Sequence, residues 1–296
     1  MIIIASKNGQ LGNRLYIYAF FIAFALENNL AVINPAFHNY SRFFQTTSKD
    51  SFCRFPPKSP FILGSKATRA LYYFFYLLGK VKVKCKYLQT VQLGWSDIFF
   101  LDSPEIYTSI KQSQIVVFQG YVLGVRFLDK SNFVKYADKI RSYFTPLEKH
   151  QHNISVLINK LRESCEVLVG VHIRHGDYKD YEGGKYFYTL DNYTKIMQNV
   201  KNLFFNKKVV FLICSNAQHD ENTFSNFNFA FGNNHIIEDM YSLAKCDYII
   251  GPPSTYNTWS SFYGNVPLYK IVNPDAVISL DSFRICRIPL IWDKPE

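Results

Sequence analysis

Long hydrophobic runs and closely spaced cysteines are both missing from this chain of 296 residues. Without a stretch of about 18 consecutive apolar residues, we expect no membrane-spanning helix. The apolar start at residues 1–5 has no basic region before it, which argues against a signal peptide. The six cysteines form neither a CxxC pair nor the Cys/His spacing of a zinc site. We therefore expect free thiols and a cytoplasmic location, with contact to the inner face of the membrane left open.

Charged residues are also scarce, and they are unevenly distributed. They make up 19% of the chain against 48% hydrophobic residues, which indicates a packed globular protein. The length suits two domains, and we expect a boundary near residue 160, giving domains 1–160 and 161–296. Residues 1–160 contain 20 Lys/Arg and 8 Asp/Glu, whereas residues 161–296 contain 13 and 15. The basic first half suits an anionic membrane surface, an anionic acceptor or nucleic acid, although a solvated basic face is the alternative.

The most informative segment is VLVGVHIRHGDY, residues 167–178. Its apolar start predicts a buried strand, which His175 and Gly176 bring to an end. His172 and Arg174 are two residues apart, so they point the same way from an extended chain. Ligands of open α/β sheets bind at the carboxyl ends of strands, and the arginine fork suits a phosphate. The alternative is a strand end with a surface salt bridge.

The second half alternates between strand and helix patterns, which predicts a parallel, doubly wound sheet. Polar residues follow three of its strands: His172 and Arg174, then Ser215, then the turn at residues 251–255. The turn brings Ser254 and Thr255 to a predicted helix N-terminus, a position that binds anions but is also an ordinary N-cap. Together with Arg174 they predict a diphosphate site. We predict helices at 192–205, 218–226, 238–246 and 255–263, and strands at 208–214, 235–237, 247–251 and 267–272.

The first half opens with a strand, a glycine turn and a helix, as a Rossmann-like unit does. Residues 2–5 predict a buried strand, Gly9 and Gly12 a tight turn, and Asn13 is a candidate cap for a helix that begins near Leu15. The glycine spacing is not GxGxxG, so a tight turn before a core helix is as good an interpretation as a phosphate loop.

Residues 35–66 predict an irregular connection, because they are rich in Phe, Ser, Lys and Pro. The apolar residues 70–78 are followed by the basic run KVKVKCK at 80–86. We favour a core helix followed by an exposed strand whose lysines face water. The alternative is an amphipathic segment that lies in a membrane interface. Residues 115–118 predict a further strand, and residues 127–144 a helical region.

Three segments resemble the α-1,2-fucosyltransferase family and, more distantly, the α-1,6- and protein O-fucosyltransferases. HIRHGDY is similar to the family's HxRRGDY, and NGQLGNRLYIYAF to its GGLGNQMFQYAF. EDMYSLAKCDYIIGPPSTYNTWSSFYG is similar to its EDLxLMxxCxxxIxxNSSFSWWxAxL, and the three occur in the family's order. The resemblance implies an α/β fold of GT-B type, with two Rossmann-like doubly wound domains facing a cleft. It also implies an acceptor-side first domain, a donor-binding second domain and GDP-fucose as donor, with inversion at the sugar carbon and no required metal or cofactor.

The resemblance also assigns roles to residues on the donor side. Arg174 would hold the β-phosphate and balance the charge of the leaving GDP. His172 and Asp239 would contact the guanosine, and Ser254 and Thr255 would bind the diphosphate.

The same resemblance indicates residues for the acceptor side and the base. Asn13 and Arg14 would face the cleft from the first domain. A Glu five residues after the motif Asp is the proposed base of the α-1,6 relatives. Glu182 has that spacing from Asp177, so we rank Glu182 first as the catalytic base and Asp177 second.

The chain departs from the family pattern at three places. His175 replaces the second motif Arg, Arg14 replaces a Gln, and PSTYNTW at 253–259 replaces NSSFSWW. No DxD-type metal motif lies in a plausible loop, so Arg174 and a helix N-terminus must supply the positive field. The acidic pairs Asp177/Asp180 and Glu238/Asp239 are better interpreted as a loop pair and a helix N-terminal pair than as metal sites.

The sequence therefore predicts a glycosyltransferase that moves fucose from GDP-fucose to a hydroxyl of an oligosaccharide or lipid-linked glycan, with an α-1,2 bond to a galactoside. One alternative is a transferase that uses another GDP-linked sugar. The other is a basic nucleic-acid-binding protein, for which the chain has no recognisable motif.

Overall fold

The computed structural model describes residues 1–95 and 97–290, which divide into two compact units. Unit 1 comprises Met1–Leu147 and unit 2 begins at Glu148. The boundary expected near residue 160 therefore lies at the other end of one helix, Glu148–Arg162, which belongs to unit 2. Its buried residues Ile154, Ile158 and Leu161 explain this, since they recur on one face of a helix that packs on unit 2.

Unit 1 is built around a five-stranded sheet with a separate pair of short strands. Its strands are β1 (Ile2–Ile4), β2 (Val32–Ile33), β3 (Arg54–Phe55), β4 (Leu88–Leu93), β5 (Phe99–Phe100), β6 (Ile115–Gly120) and β7 (Val125–Arg126). Its helices are α1 (Leu11–Asn28), α2 (His38–Ser41), α3 (Ser65–Lys80), α4 (Pro104–Gln112), α5 (Ser131–Val134) and α6 (Ala137–Tyr143). The sheet order is β3-β2-β1-β6-β4, and all pairs in it are parallel except β2 with β3.

Helix α1 is apolar around most of its circumference, and it is accordingly buried in unit 1. It begins at Leu11 with Gln10 at the N-cap, so the prediction that Asn13 caps it is wrong. The turn ends earlier than expected because Gly9 takes a left-handed conformation with a φ of 62°. Asn13 lies in the first helical turn, against Gly9.

Helix α3 is not the core helix that the sequence favoured. Tyr72 and Gly79 are its buried residues, and most of its other aromatic and aliphatic side chains are partly or fully exposed. The run at 80–86 is not a strand either, because the edge strand β4 starts only at Leu88. The predicted irregular connection at 35–66 is an accurate description: it contains short helical turns and the two-residue strand β3.

Unit 2 has a fully parallel sheet in the order β10-β9-β8-β11-β12. Its strands are β8 (Val167–Ile173), β9 (Val209–Ser215), β10 (Phe229–Phe231), β11 (Tyr248–Gly251) and β12 (Leu268–Lys270). Its helices are α7 (Glu148–Arg162), α8 (Leu190–Leu203), α9 (Ile236–Leu243) and α10 (Thr255–Gly264). The first strand of the unit lies in the centre, as in a Rossmann sheet, which confirms the predicted doubly wound class.

Two predicted elements of unit 2 are wrong. The strand predicted at 235–237 lies instead at Phe229–Phe231, and α9 already begins at Ile236. The His235 ring explains the early start, because it accepts the backbone N–H groups of Ile237 and Glu238 as an N-cap. The helix predicted at 218–226 is a single 3₁₀ turn, Glu221–Phe224.

The core of unit 2 lies on both sides of β8, whose seven residues are all buried. Gly170 lets α9 approach this strand closely, because a Cβ at that position would lie 2.5 Å from Leu243 Cδ2. None of the helices that the structure describes combines the length and hydropathy needed to cross a bilayer.

Candidate functional site

From β8 the strands of unit 2 are added first on one side, as β9 and β10, and then on the other, as β11 and β12, so the strand order reverses between β8 and β11. In open α/β sheets, ligands bind at such a switch point, outside the carboxyl ends of the strands. His172 and Arg174 lie at that end of β8, and the turn 251–254 follows β11. The Tyr178 hydroxyl joins the two chain ends by donating a hydrogen bond to the Pro253 carbonyl at 2.8 Å. The structure therefore brings together the two polar segments that the sequence singled out.

Arg174 is held in place at the end of β8 by two neighbours. One of its terminal nitrogens lies 2.9 Å from the Asp177 carboxylate, and its guanidinium lies 5.3 Å from the centroid of the Tyr178 ring. The side chain is only 14% exposed, whereas that of Asp177 is 50% exposed. The salt bridge that the sequence offered as an alternative is thus present. An incoming anion would compete with Asp177 for the same guanidinium.

His172 is buried and neutral. Its ring stacks on Tyr256 with the centroids 4.7 Å apart, and its Nδ1 has no hydrogen-bond partner among the described residues. Burial lowers the pKa of His172 to about 3, and the nearby charge of Arg174 adds to the decrease. A neutral ring with an unused nitrogen can hydrogen-bond to a ligand without carrying charge.

Ser254 and Thr255 lie at the start of α10, as predicted. Ser254 is the N-cap, and its Oγ accepts the backbone N–H of Tyr256 at 3.1 Å. Thr255 is the first helical residue. Ser254 therefore has the ordinary N-cap role that the sequence offered as an alternative. The positive end of the α10 dipole lies at the turn that Tyr178 contacts.

Ser215 and Asp239 line a cavity of 290 Å³ next to the end of β9. The Ser215 hydroxyl lies 2.8 Å from His219 Nε2. Gly232 allows the carboxylate to sit against the backbone, since a Cβ there would lie 2.5 Å from Asp239 Oδ1. The other lining residues are Ile213, Ala217, Gln218, Glu221, Phe231 and Asn234.

Asp239 has an unusual electrostatic environment. It is 5% exposed, and its Oδ1 has no hydrogen-bond partner in the part of the chain that the structure describes. Burial raises the pKa of Asp239 to about 7, although backbone hydrogen bonds from His235 and Asn233 oppose the shift. A buried carboxyl with an unsatisfied oxygen, in a residue that lines a cavity, is a candidate site for a ligand that donates hydrogen bonds.

The two candidate bases lie on the loop after β8. Asp177 is paired with Arg174, and Glu182 is exposed in the 3₁₀ turn Tyr181–Gly184. Glu182, Gly183 and Gly184 all have positive φ angles, of 48°, 66° and 77°. Such a backbone is strained at a glutamate, and strain of this kind clusters at functional loops.

The first-domain candidates Asn13 and Arg14 both contact the loop after β1. The Arg14 guanidinium donates hydrogen bonds to three backbone carbonyls, those of Asn8, Gly9 and Ala36, at 2.8 to 3.1 Å. It therefore braces the loop after β1. Asn13 packs against Gly9 of the same loop.

Lys7 is a cationic residue of the loop between β1 and α1. Its Nζ lies 3.3 Å from His38 Nε2 and 4.1 Å from the centroid of the Tyr72 ring. Burial lowers the pKa of Lys7 to about 8, and the charges of Arg14 and Arg69 add to the decrease. Within residues 1–95 and 97–290, Lys7 forms no ion pair with a carboxylate.

The fold is that of known fucosyltransferases. A mutant of Arabidopsis thaliana FUT1 in complex with GDP is similar with a TM-score of 0.56 and 14% identity, over 95% of this chain and 72% of that one. The fucosyltransferase NodZ from Bradyrhizobium has a TM-score of 0.52 and 14% identity, over 93% and 96%. POFUT1 in complex with GDP has a TM-score of 0.50 and 11% identity, over 90% and 94%. No family model and no curated protein matches the sequence.

The likeness to these fucosyltransferases confirms the predicted fold class, α/β of GT-B type with Rossmann-like units. At 11–14% identity it is a likeness of fold.

Sequence reasoning missed several residues that shape the site. Tyr178 is part of the HIRHGDY motif, but the acceptor of its hydrogen bond, Pro253, lies 75 residues away in the chain. Tyr256 and His219 take their places beside His172 and Ser215 through packing that no local pattern reveals. Lys7 had a detectable signal, since it follows the first strand of a unit that opens like a Rossmann fold.

One group of metal-ligand side chains occurs among the described residues: His150, His235 and Glu238, whose ligand atoms lie within 4.8 Å of one another. Glu238 already accepts hydrogen bonds from His150 Nδ1 at 2.8 Å, Asn153 at 2.9 Å and Asn233 at 2.8 Å. We therefore assign this group to the packing of α7 on α9. Glu238 and Asp239 diverge, one toward α7 and the other into the cavity, so they do not form a joint acidic site.

Proposed function

We propose that this protein is an inverting glycosyltransferase that transfers fucose from GDP-fucose to a hydroxyl of a glycan. The supporting observation is the arrangement of His172, Arg174 and the α10 N-terminus at the switch point of unit 2. It occurs in a chain whose fold matches fucosyltransferases over 90–95% of its length. Two of those neighbours were solved with GDP, and NodZ α-1,6-fucosyltransferase was also soaked with GDP-fucose.

The diphosphate of the donor would bind at Arg174 and at the start of α10. The guanidinium offers a planar fork of donors that matches phosphate oxygens. Ser254 and Thr255 add the partial positive charge of a helix N-terminus. Diphosphate binding would break the ion pair between Arg174 and Asp177. The Asp177 carboxylate would then be free to act as the base, for which it is our second candidate.

The guanosine would bind at the cavity beside β9. Guanine presents N–H groups side by side on one edge, and a carboxylate can accept from both of them. Asp239 has the unsatisfied oxygen for this interaction, and Ser215 lies on the same cavity. His172, buried and neutral, would contribute a hydrogen bond from the adjacent strand end.

The reaction would be a single displacement. A base removes the proton of the acceptor hydroxyl, and the hydroxyl oxygen attacks the anomeric carbon on the face opposite GDP. The bond from that carbon to the β-phosphate oxygen breaks, and GDP leaves with the bonding electrons. Arg174 and the α10 dipole stabilise the charge that develops on the phosphate, which is the main electrostatic contribution here. Glu182 is our first candidate for the base and Asp177 the second.

For the acceptor and the linkage, the sequence motifs are our support. Their resemblance to α-1,2-fucosyltransferases favours a galactoside acceptor, on an oligosaccharide or a lipid-linked glycan, and an α-1,2 bond. Incubation with labelled GDP-fucose and a panel of β-galactosides tests this directly. We expect a fucosylated product with an α-linked sugar. If no β-galactoside of the panel becomes labelled, the proposed acceptor is wrong.

A transferase that uses another GDP-linked sugar is the second candidate, and one observation favours it. His175 occupies the position of the family's second motif Arg. Its ring stacks on Phe187 and its Nε2 lies 2.8 Å from the Tyr188 carbonyl, so it packs the loop. The donor site therefore lacks the second arginine of the family motif, and a different sugar is the alternative that this difference favours. Thermal-shift measurements with GDP-fucose, GDP-mannose and UDP-sugars separate the candidates. We expect GDP-fucose to give the largest shift. A larger shift with GDP-mannose would favour the alternative.

A further inference from the structure

Helix α3 exposes an apolar face in unit 1. Tyr73 and Phe74 are adjacent, and Leu77 lies about one helical turn after them; the three are 53%, 60% and 60% exposed. Isolated exposed apolar residues are common, whereas contiguous exposed apolar patches are typical of interaction sites. Val81, directly after the helix, extends the patch and is 56% exposed.

The opposite face of α3 is fixed to the unit, so the patch is held in a defined orientation. Tyr72 is 6% exposed and lies against Lys7 and the His38 ring, with ring centroids 5.3 Å apart. Gly79 fits closely on Gln119 of β6. The helix therefore packs as a regular element and presents its apolar side outward.

The chain segment that contains α3 has charges of a single sign. Between residues 51 and 96 the sequence contains eight Lys/Arg and no Asp/Glu. Six of these cations are exposed on α3 and directly after it. They are Lys66, Arg69, Lys80, Lys82, Lys84 and Lys86.

Hydrogen bonds place the last three lysines next to the helix. The segment 82–86, here called the lysine turn, folds back along β4, and Thr90 N donates to the Val83 carbonyl at 3.0 Å. Thr90 Oγ1 donates to the Val81 carbonyl at 2.8 Å, and Gln92 Nε2 donates to the Lys80 carbonyl at 2.9 Å. The end of α3 and the lysine turn thus form one continuous surface.

We propose that α3 and the lysine turn form a docking surface for an anionic lipid bilayer. Interfacial helices combine an apolar face with Lys and Arg beside it, and aromatic rings favour the headgroup level. The lysines would then contact anionic headgroups, each contributing about 1 kcal/mol of attraction, equivalent to roughly fivefold in partitioning. A second copy of the chain fits less well, because a symmetric contact would set six cations against six.

The surface lies in unit 1, and the donor residues proposed above lie in unit 2. Membrane docking therefore stands or falls independently of the proposed transfer reaction. The two remain experimentally separable, because vesicle binding needs neither donor nor acceptor.

Co-sedimentation of the full chain with vesicles tests the proposal. The vesicles are phosphatidylcholine with an equal part of phosphatidylglycerol, compared with phosphatidylcholine alone. One variant combines Phe74→Ser with Leu77→Ser, and another combines Lys82→Gln, Lys84→Gln and Lys86→Gln. Phe205→Ser is the matched control, since Phe205 is 81% exposed but lies in unit 2.

We expect the wild type and Phe205→Ser to bind anionic vesicles equally and to bind neutral vesicles far less. The triple lysine variant should lose about 10²-fold in partitioning, and the double apolar variant roughly tenfold for each side chain. Absence of wild-type binding to anionic vesicles would overturn the proposal. A loss in Phe205→Ser as large as that in the α3 variants would do the same, as would a lipid-free dimer that Phe74→Ser dissociates.

Discussion

Asp239 combines a buried position, an unsatisfied oxygen and a pKa raised to about 7 by burial. If its carboxylate accepts hydrogen bonds from guanine, only the ionised form binds well. Donor affinity should then rise with pH through the pKa, because fewer carboxyl groups have to lose a proton on binding. GDP-fucose is the suitable ligand for this test, since its esterified diphosphate keeps a constant charge between pH 6 and pH 8.

We predict that the Kd of GDP-fucose is about tenfold higher at pH 6 than at pH 8, because roughly a tenth of the carboxyl groups are ionised at the lower value. Isothermal titration calorimetry at both values measures this. Asp239→Asn should bind weakly and without this pH dependence. A wild type whose Kd stays constant over the range would remove Asp239 from guanine recognition.

Glu182 and Asp177 are distinguished by what each contacts. Glu182 is exposed on a strained turn, whereas Asp177 pairs with Arg174. We predict that Glu182→Gln lowers kcat by about 10²–10⁴-fold and leaves GDP affinity nearly unchanged, because a base acts in the transition state. Asp177→Asn, measured beside it, should raise the affinity for GDP, because a neutral side chain competes less with phosphate for the Arg174 guanidinium. Normal turnover by Glu182→Gln would move the base to Asp177 or to a bound water.

The sequence predicted the positions of site residues best where a local pattern determines the direction of their side chains. His172 and Arg174 could be placed together because they alternate with Ile173 on a buried strand. Tyr178 and Tyr256 could not be placed, since their contacts join segments that are far apart in the chain. The bracing role of Arg14 depends on the carbonyl of Ala36, which lies beyond the next strand.

At the scale of elements, α7 and α9 are joined by a buried polar contact. His150 and Glu238 are 4% and 6% exposed, and their ring and carboxylate are 2.8 Å apart. Burial raises the pKa of Glu238, but hydrogen bonds from His150, Asn153 and Asn233 outweigh it and lower the pKa below its usual value. The carboxylate thus satisfies three donors in the interface between two helices.

We predict that Glu238→Gln lowers the free energy of unfolding by about 1–3 kcal/mol, because it leaves a buried donor without its charged acceptor. Denaturant titration measures the change. Glu163→Gln is the control, since it removes the same charge from an exposed position just after α7. Equal midpoints for the two variants would show that the contact does not stabilise the unit.

The sequence predicted the elements of unit 2 better than those of unit 1. Alternating apolar strands and amphipathic helices identified β8, β9, β11 and α10 within a few residues. Helix α3 was misjudged because nine consecutive apolar residues resemble a core helix, and exposure depends on whether a neighbour covers them. Hydrophobicity alone contains no information about that neighbour.

At the scale of the whole molecule, the proposed chemistry depends on positive charge that the protein itself supplies. Arg174, directly after β8, and the start of α10 are the groups to which we assign the leaving diphosphate. We predict that transfer from GDP-fucose continues in excess EDTA, since these groups balance the developing charge without a divalent cation. Initial rates with and without chelator provide the measurement. Complete loss of activity, restored by Mn²⁺ or Mg²⁺, would overturn this mechanism.

The central claim is that Arg174 holds the diphosphate of GDP-fucose at the switch point of unit 2. Isothermal titration of GDP-fucose into the wild type, Arg174→Lys and Arg174→Ala tests it most directly. We predict that Arg174→Ala binds at least about tenfold more weakly, a loss of ~1.4 kcal/mol or more, with an unchanged thermal midpoint. Arg174→Lys should recover only part of the affinity, because a point charge replaces a bidentate fork. Equal affinity of Arg174→Ala and wild type, or a wild type that does not bind GDP-fucose, would contradict the claim.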